Sequence, residues 1–276
     1  MHLKQIFERL WNDYTGQNPH ARKVYNLFVD QGNTVVHDHI AFRTFDDPRI
    51  NIDVLAEIFV SRGYQEKKTY EFTEKHLFAK HFEHPDGTYP RIFISHLLTD
   101  EFSQELKTVV NDLVDHIPVG TIASEELIFA GTAWAPIHFD VYENLRKESE
   151  YAAWLYSNGF RTNHFAISIN HLDTFNDIYA LNKFLKKEGF LMNDSGGEVK
   201  GSPDVLLEQS SIKAGKQNLR FAEGLFEVPT CYYEFTKRYK ENSGHHYSGF
   251  IAKSADKIFE STDHYDLELY QVNKKK

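Results

Sequence analysis

The stretch VVHDHIAFRTF, residues 35–45, has the composition of a buried β-strand but carries two histidines and an arginine. Successive side chains of a strand point to opposite faces, so His37, His39 and Arg43 are predicted to share one face. Burying these polar groups without partners would be costly. The pattern therefore predicts a polar face that lines a ligand cavity and an apolar face that packs on helices.

The second half of the chain repeats this pattern. NHFAI (residues 163–167) corresponds to DHIAF (residues 38–42), and each motif begins a strand followed by an amphipathic helix that ends in glycine. The histidine of each motif lies 24 or 25 residues before that glycine. A strand, helix, strand, strand, strand unit used twice predicts an α+β fold of two βαβββ-type halves whose antiparallel sheets face each other.

The expected domain organisation is a single domain spanning residues 1–276, with pseudo-repeats at about 33–119 and 158–240. Apolar residues at helical spacing predict an N-terminal helical segment over residues 1–32. Residues 120–151 are predicted to be irregular and to connect the halves.

Composition excludes several classes of protein. The chain has 276 residues, of which 41% are apolar, enough for a full core, and a net charge of -9 without a basic patch that could follow a nucleic acid backbone. Its single cysteine, Cys231, excludes an internal disulfide and suits a reducing compartment. No apolar run is long enough to cross a membrane, and the first residues lack a signal-peptide pattern. We expect a cytoplasmic protein that binds neither nucleic acid nor membrane; its oligomeric state stays open.

Three residues form a candidate metal site. His39 and His164 occupy equivalent positions of the two halves, and Glu234 lies on a later strand, opposite its apolar neighbours. Two histidines and one carboxylate can form a facial set that leaves coordination positions open for a bidentate substrate and O2, an arrangement typical of non-haem Fe(II).

Structural alternatives exist for each residue. A strand histidine can be a hydrogen-bonded core residue, and Glu234 can be an exposed residue paired with Lys237 or Arg238. His37 is a rival ligand, because His-x-His on a strand can bind one metal with both rings. The histidines of the first hairpin are predicted to lie at the surface: His76, His81, His84 and His96.

Arg43 is a candidate anchor for substrate. It lies four residues, about 13 Å, beyond His39 on the same predicted face. From there its guanidinium could hold the far carboxylate of an extended acid. The alternative is a simple ion pair with Asp46 or Asp47.

At these residues the chain resembles the 2-oxoadipate dioxygenase/decarboxylases, which are related to the vicinal-oxygen-chelate fold of hydroxyphenylpyruvate dioxygenase and hydroxymandelate synthase. The resemblance runs over nearly the whole chain. It rests on several long segments in order: NDYTGQNP (12–19), DHIAFRTFDDP (38–48), SEYAAWLYSNGFRTNHFAISIN (149–170), LLEQSSIKA (206–214) and YYEFTKR (232–238).

The resemblance implies a vicinal-oxygen-chelate-like fold enclosing an Fe(2+) site, with Arg43 contacting substrate. The implied ligands are His39, His164 and Glu234. It also implies a substrate contact at Ser254, and the strand position of Gln209 adds a further candidate contact. His96 departs from the family pattern, where a glutamate is common.

The implied partners are O2 and a small 2-oxo acid, and the implied reaction converts 2-oxoadipate to 2-hydroxyglutarate and CO2 without an organic cofactor. Two alternatives remain at this point. One is a glyoxalase-type lyase or isomerase that uses a divalent metal, usually with a glutamate of the first repeat as fourth ligand. The other is a non-catalytic module that binds small acids.

Overall fold

The computed structural model describes residues 1–251. The helices are α1 (Leu3–Gln17), α2 (Pro19–Asp30), α3 (Ile52–Val60), α4 (Gln104–His116), α5 (Val119–Ile122), α6 (Phe139–Glu148), α7 (Glu150–Asn158) and α8 (Ile178–Lys187). The strands are β1 (His37–Phe45), β2 (Gln65–Phe72), β3 (Leu77–Glu83), β4 (Arg91–Leu97), β5 (Thr162–Ser168), β6 (Lys200–Ser202), β7 (Leu207–Ser211), β8 (Lys216–Phe221), β9 (Gly224–Pro229) and β10 (Glu234–Arg238). The mixture confirms the α+β class and the N-terminal helices.

Eight strands form one mixed sheet in the order β2-β3-β4-β1-β5-β10-β7-β6. β1 pairs parallel with β4, and β5 pairs parallel with β10. β1 and β5 pair antiparallel with each other and join the halves. The prediction of two facing antiparallel sheets is therefore wrong in this detail: the halves share one continuous sheet, because pairing β1 with β5 satisfies backbone groups that would otherwise form two exposed edges.

The N-terminal helices cover one face of this sheet. The apolar residues of α1 recur at helical spacing, and Leu3, Ile6 and Leu10 are buried. The ring of Trp11 packs edge-on against Phe165 of β5, with centroids 5.1 Å apart. This contact fixes α1 across the junction of the two halves.

The connection between the halves is more helical than predicted. Residues 120–151 include all of α6 and the start of α7, whose residues 151–158 are all buried. The β8–β9 hairpin is a separate two-stranded sheet, and its Phe226 stacks on Phe139 of α6, with centroids 3.8 Å apart. Within residues 1–251, no helix combines the length and apolar character needed to cross a membrane.

A β-bulge at the start of β1 changes the face of His37. From His37 to His39 the pairing advances by two residues of β1 but by only one residue of β5. The His37 ring packs on Trp11, with centroids 4.8 Å apart, and its Nε2 lies 2.8 Å from Tyr233 Oη. The prediction that His37 and His39 share a face is therefore wrong, because strict alternation fails at the bulge.

The burial of His37 predicts a pH dependence of stability. Burial lowers the pKa of His37 to about 3 from 6.5, with a smaller contribution from His39. The unfolded chain binds a proton at this position below pH 6.5 that the folded chain does not, so stability falls as the pH falls through this window. From pH 7 to pH 5 the loss from this residue is about 2 kcal/mol.

Urea unfolding of the metal-free protein at pH 7 and pH 5 measures this effect. The His37→Gln variant can retain a hydrogen bond to Tyr233 but cannot bind the proton. We expect the wild-type protein to lose about 2 kcal/mol more than the variant over this pH range. An equal loss of unfolding free energy in both proteins would contradict the prediction that burial of His37 causes this pH dependence.

Candidate metal centre

Two histidines and a glutamate meet on adjacent strands of the sheet. His39 on β1, His164 on β5 and Glu234 on β10 are all buried, and one possible ligand atom from each lies within 4.8 Å of the others. His39 Nε2 is 3.5 Å from Glu234 Oε1, and His164 Nε2 is 3.4 Å from Glu234 Oε2. The alternative of an exposed Glu234 is therefore wrong. Such a set of two imidazoles and a carboxylate can hold a divalent cation.

The residue before each histidine fixes the orientation of its ring. His39 Nδ1 lies 2.9 Å from Asp38 Oδ1, and His164 Nδ1 lies 2.8 Å from Asn163 Oδ1. When each Nδ1–H donates to this oxygen, each Nε2 keeps a lone pair directed toward Glu234. The sequence motifs contain both supporting residues, but their function was not predicted.

The charges suit metal binding at neutral pH. Burial alone would raise the pKa of Glu234, but His39 and His164, together with a hydrogen bond from Gln209, lower it below its usual value. Burial lowers the pKa of His164 to about 4, although Glu234 opposes this shift. Glu234 is therefore ionised and His164 neutral at pH 7, the forms that bind a metal.

Two further side chains hold the Glu234 carboxylate. Gln209 Nε2 donates a hydrogen bond of 2.6 Å to Glu234 Oε1, and Thr236 Oγ1 donates one of 3.0 Å to the same oxygen. These bonds restrict the carboxylate to one orientation. The substrate contact of Gln209 stays a prediction, and the structure places its amide against the candidate ligand.

Phe93 occupies the position in the first half that Glu234 occupies in the second. Ala41 and Ala166 are matching residues of the two motifs; Ala41 pairs with Phe93, and Ala166 pairs with Glu234. Phe93 has no ligand atom, and its ring packs on Phe250 with centroids 4.9 Å apart. Because this position supplies no fourth ligand, the site argues against the glyoxalase-type alternative.

Arg43 lies buried between two aromatic rings of α7. Its Cζ is 4.8 Å from the ring centroid of Tyr151 and 5.0 Å from that of Trp154. Both rings are held in place, since Tyr151 Oη donates to the Ser95 carbonyl and Trp154 Nε1 donates to the Thr230 carbonyl, each at 2.8 Å. These contacts hold the positive charge of Arg43 in the interior. They are contacts with aromatic rings, whereas the alternative predicted an ion pair with Asp46 or Asp47.

A cavity of about 280 Å³ reaches Arg43 and Tyr151 from the surface. Its other walls come from residues 74–77, Phe102 and residues 146–150. Arg43 therefore lines this cavity, and the three candidate ligands are not among its lining residues.

Asp38, which bonds His39 Nδ1, is itself held by an ion pair that was not predicted. Arg238 donates to both oxygens of Asp38, with Nε to Oδ2 at 2.7 Å and Nη2 to Oδ1 at 2.9 Å. Burial alone would raise the pKa of Asp38, but Arg238, the His39 hydrogen bond and Arg91 hold it well below its usual range. Asp38 is therefore a carboxylate when it accepts the hydrogen bond from His39.

The histidines of the first hairpin are not among the candidate ligands. His96 packs on Phe78, with ring centroids 5.6 Å apart. His81 was predicted at the surface but is buried, because Tyr70 and Glu83 satisfy its two nitrogens. Ser254 lies outside the described residues. A second group of possible ligands within residues 1–251 is exposed: His138, Asp140 and Glu223.

The 2-oxoadipate dioxygenase/decarboxylase family matches residues 7–244 of the chain. The chain belongs to this family. It is 36% identical, over an alignment of 294 positions, to a protein of Oryza sativa subsp. japonica named 2-oxoadipate dioxygenase/decarboxylase, chloroplastic/amyloplastic; the match covers 96% of this chain and 80% of the relative. The resemblance predicted from the sequence motifs is confirmed.

Two solved structures are similar in fold and sequence. The hydroxyglutarate synthase from Oryza sativa, in complex with 2-oxoadipate, has a TM-score of 0.86 and 34% identity, covering 94% of this chain and 91% of that one. A protein from Shewanella frigidimarina NCIMB 400, provisionally described as a hydrolase, has a TM-score of 0.86 and 44% identity, covering 90% of this chain and 97% of that one. Both proteins are therefore similar to this chain in sequence as well as in fold.

Removing the Gln209 hydrogen bond should weaken metal binding. In Gln209→Met, Glu234 loses its shortest donor, and losses of this kind cost about 10- to 100-fold in metal affinity. The measurement is the Kd for Co(II) by isothermal titration calorimetry. The control is Ser210→Ala, since Ser210 bonds Asn182 and not the candidate ligands. Equal affinities in the two variants would contradict a supporting function of Gln209.

Proposed function

We propose that this chain is an Fe(II)-dependent 2-oxoadipate dioxygenase/decarboxylase. The observation that carries the proposal is the buried set of His39, His164 and Glu234, with Phe93 at the position where a fourth ligand would lie. Membership of the family and the 2-oxoadipate bound to the rice relative support the choice of substrate. The reaction converts 2-oxoadipate and O2 to 2-hydroxyglutarate and CO2, and both atoms of O2 enter the hydroxy acid.

The donor set fits Fe(II). Two neutral imidazoles and one carboxylate form the facial triad of oxygen-using iron enzymes, and the positions that remain can accept a chelating 2-oxo acid and O2. Bound Fe(II) would supply Lewis acidity toward the 2-oxo acid and the electrons that activate O2. Asp38, Asn163 and Gln209 would hold the three ligands in this arrangement before the metal binds.

Arg43 would bind the carboxylate of 2-oxoadipate that lies farther from the metal. A guanidinium matches a carboxylate with two parallel hydrogen bonds, and these bonds are stronger in a buried site. The rings of Tyr151 and Trp154 would limit the movement of this guanidinium, so that the acid is held at a fixed distance from the metal. The enzyme would thereby select its substrate partly by the length of the acid.

Aromatic side chains would keep water away from the reacting end of the acid. The Tyr232 ring stacks on His164 with centroids 4.5 Å apart, and the Phe250 ring lies edge-on to His39 at 4.9 Å. A water-poor site strengthens the electrostatic interactions between ligands, metal and substrate.

Turnover tests this assignment together with the division of tasks between residues. Protein loaded anaerobically with Fe(II) should form 2-hydroxyglutarate, identified by mass spectrometry, when 2-oxoadipate and O2 are added. His164→Ala should bind no iron and form no product. Arg43→Ala should retain iron but raise the KM for 2-oxoadipate by roughly 10- to 100-fold, because it loses charge-assisted hydrogen bonds worth about 1.5–3 kcal/mol.

His96→Ala is the matched control, because it removes a histidine on β4 outside the candidate site and should leave iron binding and KM unchanged. Absence of product from the iron-loaded wild-type protein would contradict the proposed reaction. Loss of iron from Arg43→Ala would contradict the separation between metal binding and substrate binding.

A further inference from the structure

Arg238, at the end of β10, connects the support of His39 to a later segment of the chain. Its Nε and Nη2 bind Asp38, which in turn holds His39 Nδ1. Its Nη1 donates to the carbonyls of Tyr247 at 2.9 Å and Gly249 at 2.8 Å. We name residues 247–250 the C-terminal strap. One buried guanidinium therefore bonds both the candidate ligand's support and the strap.

The strap also contacts the site through Phe250. The Phe250 ring lies edge-on to His39, with centroids 4.9 Å apart, and its centroid is 5.1 Å from Arg238 Cζ. The Phe250 amide donates a hydrogen bond of 3.1 Å to Tyr70 Oη. The strap is thus fixed at three points: by Arg238, by His39 and by the first-half hairpin.

A chain of hydrogen bonds runs back from the strap to Asp38. Tyr70 Oη lies 2.8 Å from His81 Nδ1, and His81 Nε2 lies 3.2 Å from Glu83 Oε1. Arg91 bonds Glu83 at 3.2 Å and Asp38 at 3.5 Å. Two sets of hydrogen bonds therefore connect the strap to Asp38, one through Arg238 and one through Tyr70, His81, Glu83 and Arg91. The connection through Arg238 is the shorter one, and Arg238 bonds both oxygens of the Asp38 carboxylate.

We propose that Arg238 is a positioning residue that couples docking of the C-terminal strap to the orientation of His39 for metal binding. The inference rests on the proposed metal site. Asp38 can hold the His39 ring in the ligating orientation only while its own carboxylate is fixed, and Arg238 fixes it with the same group that holds the strap. Because coupling between two binding events is reciprocal, a docked strap tightens metal binding, and bound metal stabilises the docked strap.

The two halves differ in this respect. His164 is supported by the neutral amide of Asn163, whereas the carboxylate that supports His39 is held by Arg238. The coupling therefore acts on one of the two histidines. A change in the strap should alter metal affinity without removing any of the three ligands.

Metal affinity without substrate or O2 provides the first test, with Co(II) as the probe. Arg238→Met should raise the Kd for Co(II) by about 10- to 100-fold, the range for losing the support of a ligand. Phe250→Ala, which leaves the Asp38 ion pair intact, should raise it by about tenfold. The matched control is Arg91→Met: Arg91 reaches only one Asp38 oxygen, at 3.5 Å, and makes none of the strap contacts of Arg238, so its Kd should rise clearly less than that of Arg238→Met.

Hydrogen exchange provides the second test and separates coupling from a general structural effect. Co(II) should slow exchange at the amides of the strap in the wild-type protein. In Arg238→Met at saturating Co(II), this slowing should be smaller than in wild type, because only the contact of Phe250 with His39 would still join the strap to the metal site. Equal Kd values for Arg238→Met and Arg91→Met, or strap exchange that Co(II) does not alter in wild type, would overturn the coupling alone. Absence of Co(II) binding to wild type would overturn the metal site and the coupling together.

Discussion

The Glu234 carboxylate, buried between the Nε2 atoms of His39 and His164, sets the requirements that the surrounding structure meets. An ionised carboxylate taken out of water costs several kcal/mol unless opposite charge and hydrogen bonds compensate it. Gln209 and Thr236 supply hydrogen bonds, and a divalent cation would supply the charge. A cation bound between these three side chains would therefore account for the burial of the Glu234 charge.

The strand order brings these side chains together, because all three ligands lie on adjacent strands of one sheet. Antiparallel pairing of β1 with β5 places the two histidines on neighbouring strands, and β10 lies beside β5. The halves match in strand order but differ in the side chains at equivalent positions. Glu234 of the second half corresponds to Phe93 of the first, and Asn163 of the second half corresponds to Asp38 of the first. These differences give the two halves of a nearly symmetric sheet different side chains at matching positions, and only the second half supplies a carboxylate ligand at the position of Glu234 and Phe93.

Much of this site could be predicted from the sequence, because its signal lies in local motifs. DHIAF and NHFAI identified His39 and His164, and alternation along β10 identified Glu234. The same alternation places Arg238 on the face of Glu234 but Asp38 on the face opposite His39, so it could not predict their ion pair. The bulge that turns His37 toward Trp11 could not be predicted either, because it depends on the pairing of β1 with β5, and strand pairing leaves no mark in a strand's own composition.

The aromatic contacts of Arg43 show a similar limit. The sequence predicts a substrate anchor at this position, but Tyr151 and Trp154 lie more than a hundred residues away on α7, and only the tertiary structure brings them to the guanidinium. The single sheet was also missed, since two open strand edges can be satisfied either by facing sheets or by direct pairing.

The measurement that tests the central claim most directly is the fate of the oxygen atoms when iron-loaded protein acts on 2-oxoadipate under 18O2. An open three-ligand site that joins substrate and O2 predicts one CO2 released per O2 consumed, with two labelled atoms in 2-hydroxyglutarate, one in the hydroxyl group and one in the new carboxylate. A hydroxy acid that carries oxygen only from water, or CO2 release without O2 consumption, would contradict the account.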